Sequence, residues 1–199
     1  MNTYDRIAEL AKQNNGILLT RELAKNAIET WYLTDLVRQG RLERISRGIY
    51  LDPSYENFDE YFILQLKNDR CVYSYSTALY LNGLTERIPY QIEVTVPRGY
   101  NPSHIKGKAV VHSIRKNWYD IGITKLKTVQ GNEVKAYDAE RTICDLVRDR
   151  NNQDTEIFSK TCNVYLRRKT KDIWKLRDYA QLFGISEKIE SILELINYE

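Results

Sequence analysis

The chain has 199 residues, a formal net charge of +3 and 42% hydrophobic residues, which suits one large or two small domains with a packed core. So small a charge excludes a generic polycation, and no apolar run approaches the roughly 18 residues of a membrane span. Three widely spaced cysteines, Cys71, Cys144 and Cys162, with no secretory signal before them, point to a reduced cytoplasm and not to a disulfide framework.

In chain order, Tyr4, Ile7, Ala8 and Ala11 make an apolar stripe that predicts a helix from Tyr4 to Gln13, ended by Asn14-Asn15-Gly16. Ile17-Leu18-Leu19 is a short apolar run fit to be one strand of a small sheet. Thr20 is placed to cap a second helix, with Leu23, Ala24 and Ala27 on one face, and a turn follows near Asn26 to Glu29. A third helix is expected from Thr30 to Gln39, with Leu33, Leu36 and Val37 inward and Gly40 as its stop. Arg41 to Ile45, the tip Ser46-Arg47-Gly48 and Ile49 to Leu51 then read as a β-ribbon. Three helices and a ribbon are the plan of a winged helix-turn-helix over residues 1–52.

The outward residues of that unit point to DNA. Thr30, Trp31, Thr34 and Arg38 lie on the exposed face of the third helix, and Arg41, Arg44 and Arg47 stud the ribbon against a single acid, Glu43. Such a positive local charge attracts the phosphate backbone, and release of condensed counterions supplies affinity. The helix is expected to meet base edges and the ribbon arginines to meet phosphates or the minor groove. Because one such unit buries limited surface, the expected site is an inverted repeat occupied by two copies of a protein that is a monomer in solution.

The polar stretch Asp52 to Asn57 reads as a linker, and a second domain is expected over 57–199. Phe58, Tyr61, Phe62 and Leu66 predict a helix from Phe58 to Lys67, closed by Asn68-Asp69-Arg70, and a short helix from Ala78 to Asn82 stops at Gly83. Strands are expected at Ile92 to Val96, Ala109 to Ile114 and Asn132 to Tyr137. Asp138 caps a helix through Arg150 with Ile143, Leu146 and Val147 inward, and three helices follow from Thr155, the last capped by Ser186. The expected class is α+β: a winged helix followed by a mixed α/β domain ending in helices. Element spacing alone names no known architecture.

Two further basic runs lie in this half. Arg98, Lys106, Lys108, Arg115, Lys116, Lys125 and Lys127 are interrupted only by Asp120, and Lys160, Arg167, Arg168, Lys169, Lys171, Lys175 and Arg177 only by Asp172. They are either a solvated surface or a face for an anionic partner. The pattern holds little enzymatic chemistry. His104 and His112 are the only histidines and no Cys-x-x-Cys exists, so neither a metal site nor a cofactor is expected. No nucleophile elbow or phosphate-binding glycine loop is present. Asp120 with Glu133 and Lys135 imitates the acid and acid-x-Lys spacing of metal-dependent nucleases, although Glu-x-Lys is common on solvated strands. In the Tyr137 to Leu146 stretch, Glu140 and Arg141 are suited to pairing between helices.

Several motifs together resemble the AbiEi family of antitoxins: Tyr73 to Thr85 (YSYSTALYLNGLT) followed by Pro89, Val94 to Gly99 (VTVPRG), Tyr137 to Leu146 (YDAERTICDL), and the ribbon Gly40 to Tyr50 (GRLERISRGIY). The resemblance implies a cytoplasmic, non-enzymatic antitoxin of a type IV toxin-antitoxin pair in abortive infection, a form of phage defence. It further implies that the winged helix represses its own operon, and that the C-terminal domain counters a nucleotidyltransferase-like toxin without a stable complex. On that reading the two basic runs would be the antitoxicity surface. The rival readings are a transcription factor whose second domain binds a ligand or partner, and the nuclease.

Overall fold

The structure is a computed structural model that describes residues 2–55, 59–105, 107–152 and 155–197. It is α+β, as expected, and divides into two compact units: residues 1–69 with 127–133, and residues 70–126 with 134–199.

The first unit opens with α1 (Thr3–Gln13), started by a capping box in which Asn2 and Asp5 each bond the other's backbone N–H. Then come β1 (Ile17–Leu19), α2 (Thr20–Lys25), α3 (Trp31–Arg38), β2 (Glu43–Ser46) and β3 (Ile49–Leu51). The strands pair antiparallel in the order β1-β3-β2, the arrangement expected of a winged helix-turn-helix. Ile7, Ala11, Leu18, Leu23, Ile28, Leu33, Leu36 and Leu42 fill the core beneath the helices. Successive strand side chains alternate in direction. Leu18 therefore enters that core while Ile17 and Leu19 join Ile49, Leu51 and Ile63 in a second cluster on the other side. Ile63 comes from α4 (Glu60–Lys67), so the small sheet is covered on both faces.

Some local expectations are corrected. Thr20 is the first residue of α2 and caps nothing; Leu19, still extended, holds the cap position, and the Thr20 N–H bonds the Gly48 carbonyl at 3.0 Å. Ala24 is exposed, and Ala27 sits in the turn at φ 53°, off the helical face. Thr30 is the residue before α3, and Arg41 lies in the turn before β2. Residues 52–55 form a closed turn, with Asp52 accepting from the Ser54 backbone and hydroxyl, where a linker was expected. The boundary between compact units falls after Asp69, because α4 closes the exposed side of the sheet. Phe58 and Asn57 lie outside the described residues; α4 is capped by Asp59, whose carboxylate accepts from the Phe62 N–H, from Thr128 and, at 2.9 Å, from Asn132.

The second unit holds β4 (Val72–Tyr73), α5 (Tyr75–Leu81), β5 (Ile92–Pro97), β6 (Ala109–Ile114), α6 (Lys116–Tyr119), β7 (Ile123–Lys127) and β8 (Glu133–Tyr137), where the end residue of β7 and the first residue of β8 belong to the segment 127–133. The sheet order is β6-β5-β4-β8-β7, with β5 parallel to β6 and antiparallel to β4, and β4 parallel to β8. The helices α7 (Ala139–Arg148), α8 (Thr155–Arg167), α9 (Ile173–Phe183) and α10 (Ser186–Asn197) complete it. Asp138 caps α7 through the Arg141 N–H as expected, but α7 ends at Arg148, α5 starts at Tyr75, and Ser186 is helical, not a preceding cap. The expectations omitted β4, α6 and β7. Helix α7 is buried from Glu140 to Val147 and is the centre of the helical core.

Candidate nucleic-acid interface

Beside α3 the first unit has an open cleft of about 550 Å³, walled by Thr20 and Arg21 of α2, Thr30 and Thr34 of the third-helix segment, and Arg44, Arg47 and Gly48 of the ribbon. Leu19, Ile49, Tyr50 and Leu66 make its apolar part. Local geometry explains the gathering. Thr30 and Thr34 are four residues apart and so share a helical face. Arg44 pairs across the ribbon with Tyr50, which places both side chains on one side, while Glu43 pairs with Leu51 and lies on the opposite side. Arg47-Gly48 forms the tip, with Gly48 at φ 74°, a region that favours glycine. The lining contains three arginines and no carboxylate. Arg21, Arg44 and Arg47 make no ion pair with any described residue.

Of the seven expected DNA contacts, four meet in this cleft: Thr30, Thr34, Arg44 and Arg47. Trp31 is half exposed at the start of α3 and stacks on Tyr32 with ring centroids 3.9 Å apart. Arg38 is exposed in the last turn, and Arg41 lies near enough to Tyr4 to act on it electrostatically. These three are outside the cleft wall. The acid of α3, Asp35, is occupied by the Tyr4 hydroxyl and the Gln39 amide, each at 2.7 Å. Arg21 joins the cleft from α2; its signal in the sequence is only its place in the first turn after the β1 run.

The basic runs of the other half do not form one face of free charges. Lys160 pairs with Glu156, Arg177 with Glu190, and Lys175 with Asp138. Arg168 holds the carbonyls of Asn82 and Gly83, and Lys171 bonds the Arg168 carbonyl. Arg115 lies over the Trp118 ring at 4.1 Å. Arg98, Lys108, Lys116, Lys125, Lys127, Arg167 and Lys169 are exposed, and Lys106 lies outside the described residues. Arg167 and Lys160 border an open groove of about 670 Å³ between residues 83–87 and α8.

The Tyr137 to Leu146 stretch is built into the fold. Arg141 is fully buried; its Nε donates to Asp145 at 2.9 Å, its Nη1 to the carbonyls of Trp118 and Ile121, and its guanidinium lies over Tyr137 and Phe183. Burial pushes the Asp145 carboxyl up, against the opposing pull of Arg141 and Arg148. Glu140 accepts from the Tyr165 hydroxyl and the Asp172 N–H. On the β5–β6 face, Glu93 accepts from Ser76 and meets His112, both at 2.6 Å. Burial works to raise the Glu93 carboxyl, but its bonds with His112 and Ser76 together outweigh that and hold it below the ordinary value. The carboxylate stands between the hydroxyl and the imidazole, so His112 cannot take a proton from Ser76 as a nucleophilic triad requires. Glu133 and Lys135 share a strand face as alternation requires, and among the described residues no group of three His, Cys, Asp or Glu could hold a metal ion. No helix among those residues is long and apolar enough to cross a membrane.

The sequence of the first unit's helices and ribbon is similar to that of a known family. Residues 5–51 fit the model of AbiEi antitoxins, described as transcriptional regulators. That match ends at the last strand of the small sheet, before α4. A crystal structure of the RV2827C protein from Mycobacterium tuberculosis resembles nearly the whole fold, with a TM-score of 0.50 and 14% identity over 94% of this chain and 79% of that one. At that identity the likeness is one of fold. No curated protein matches the chain.

Proposed function

We propose that the protein is a DNA-binding antitoxin that represses its own operon and has no catalytic activity. The carrying observation is the cleft in which Thr30 and Thr34 of the third-helix segment face Arg44 and Arg47 of the ribbon with no carboxylate in the wall. Short hydroxyl side chains suit base edges and thymine methyls, and unpaired arginines suit phosphates or a narrow minor groove. The family of residues 5–51 supports the same reading. The site is an inverted repeat upstream of the gene, occupied by two copies of a protein that is monomeric in solution. In this reading the second half counters a nucleotidyltransferase-like toxin without a stable complex, in the cytoplasm, as part of defence against phage. Its free charges, among them Arg167 and Lys169, are the first candidates for that role.

Gel shifts with DNA from upstream of the gene test the regulator. Specific retention that Arg44→Ala and Arg47→Ala weaken is expected; no preference for that DNA over an unrelated duplex would overturn it. Growth under expression of a neighbouring nucleotidyltransferase tests the antitoxin, with Arg167→Glu and Lys169→Glu expected to reduce protection while leaving the gel shift unchanged. The groove beside α8 favours one second reading, a regulator whose second unit takes a ligand; repression that responds to a small molecule would select it.

A further inference from the structure

Arg21 and Arg47 come from separate elements, yet their immediate chain neighbours, Thr20 and Gly48, are joined by a backbone hydrogen bond of 3.0 Å. That bond fixes the start of α2 against the tip of the ribbon. It brings two arginines onto the wall of one cleft, with Arg44 further along and no acid among the lining residues. Neither Arg21 nor Arg47 has an ion-pair partner among the described residues. Elsewhere in the chain exposed cations do find carboxylates, as Lys160 finds Glu156 and Arg177 finds Glu190. Like charges held together without a counter-charge repel in the free protein and gain when an anion stands between them.

We infer that Arg21 is a DNA-backbone contact, forming with Arg47 a clamp on phosphate at the edge of the groove that the third helix enters. The inference rests on the DNA-binding reading and adds to it a residue of α2. Arg21 sets affinity and register, and Thr30 and Thr34 set sequence.

The test uses the full chain and a fluorescein-labelled mixed-sequence duplex, followed by anisotropy across a salt series. Arg21→Gln should lower the slope of log K against log salt by about one unit, the value for one lost phosphate contact, and Arg21→Lys should keep it. Arg44→Gln should lower the slope likewise, whereas Glu43→Gln, on the opposite side of the ribbon, should not. The melting temperature of free Arg21→Gln should not fall, since the exposed side chain makes no ion pair with any described residue; a fall would assign Arg21 a structural role and overturn the inference. A wild-type slope in Arg21→Gln, with a reduced slope in Arg44→Gln, would overturn it while leaving the DNA-binding reading intact. Absence of duplex binding by the wild-type chain would overturn both.

Discussion

The backbone N–H of Thr20 donates to the carbonyl of Gly48 at 3.0 Å, and the hydroxyl of the same threonine stands 3.1 Å from where a Gly48 Cβ would lie. Gly48 also holds φ 74°, so Gly48→Ala combines a left-handed backbone with a tight contact. A stability loss of about 1–2 kcal/mol is expected in chemical denaturation. DNA affinity should fall with it, because the tip carries Arg47; an unchanged gel shift would separate the tip's position from binding.

A fragment ending at Tyr55 leaves Ile17, Leu19, Ile49 and Leu51 without the helix that covers them. Each large apolar side chain returned to water costs about 1.5–3 kcal/mol, which a domain this small cannot spare. Residues 1–55 should therefore give no cooperative thermal transition, and residues 1–69 should give one, below that of the intact chain. Circular dichroism melts of the two fragments decide this.

Arg141 and Asp145 are a buried pair four residues apart on α7. Breaking such a pair leaves an uncompensated charge, and Arg141→Met should cost about 3–5 kcal/mol. Arg148, the partly exposed second partner of Asp145, should matter much less. Calorimetry of Arg141→Met and Arg148→Met checks the order; equal losses would contradict it.

The folded Glu93 carboxyl titrates below its ordinary value. A group with a depressed folded value contributes stability above its unfolded value, about 4.3 for Glu, and loses it as pH falls through the folded one. The stability difference between wild type and Glu93→Gln should shrink as the solution is acidified below about pH 4.3 and through the folded value. Urea titrations across that range provide the measurement.

Much of this architecture was legible because periodicity reports burial. Ile7 and Ala11 on α1, Leu33 and Leu36 on α3, and Ile143, Leu146 and Val147 on α7 all mark inward faces. Thr20 misled because a hydroxyl before an apolar stripe imitates a cap, whereas the strand before it leaves the cap position to Leu19. Strand β4 is only two residues long, in the fully buried run Cys71-Val72-Tyr73, so it carries no alternation. In the cleft, Arg44 and Arg47 were readable from the ribbon, but Arg21 was not, since its neighbour across the Thr20–Gly48 bond is remote in sequence. Counting charge could not reveal that Arg168, Arg177 and Lys160 already have acceptors.

Asp59 gives the order of synthesis a physical meaning. Its carboxylate is fully buried in the first unit, yet its side-chain donors Thr128 and Asn132 lie 69 and 73 residues further along. A growing chain that has made the first 69 residues has the helices α1 to α4 and the Phe62 N–H for this acid, but not its two side-chain donors, and a buried carboxylate short of donors is costly. The first unit therefore reaches its full stability only after about two thirds of the polypeptide has been made, when Thr128 and Asn132 join Asp59. A chain cut short before that point lacks part of what holds its first unit together, so the stability of the N-terminal helices depends on a segment encoded far downstream.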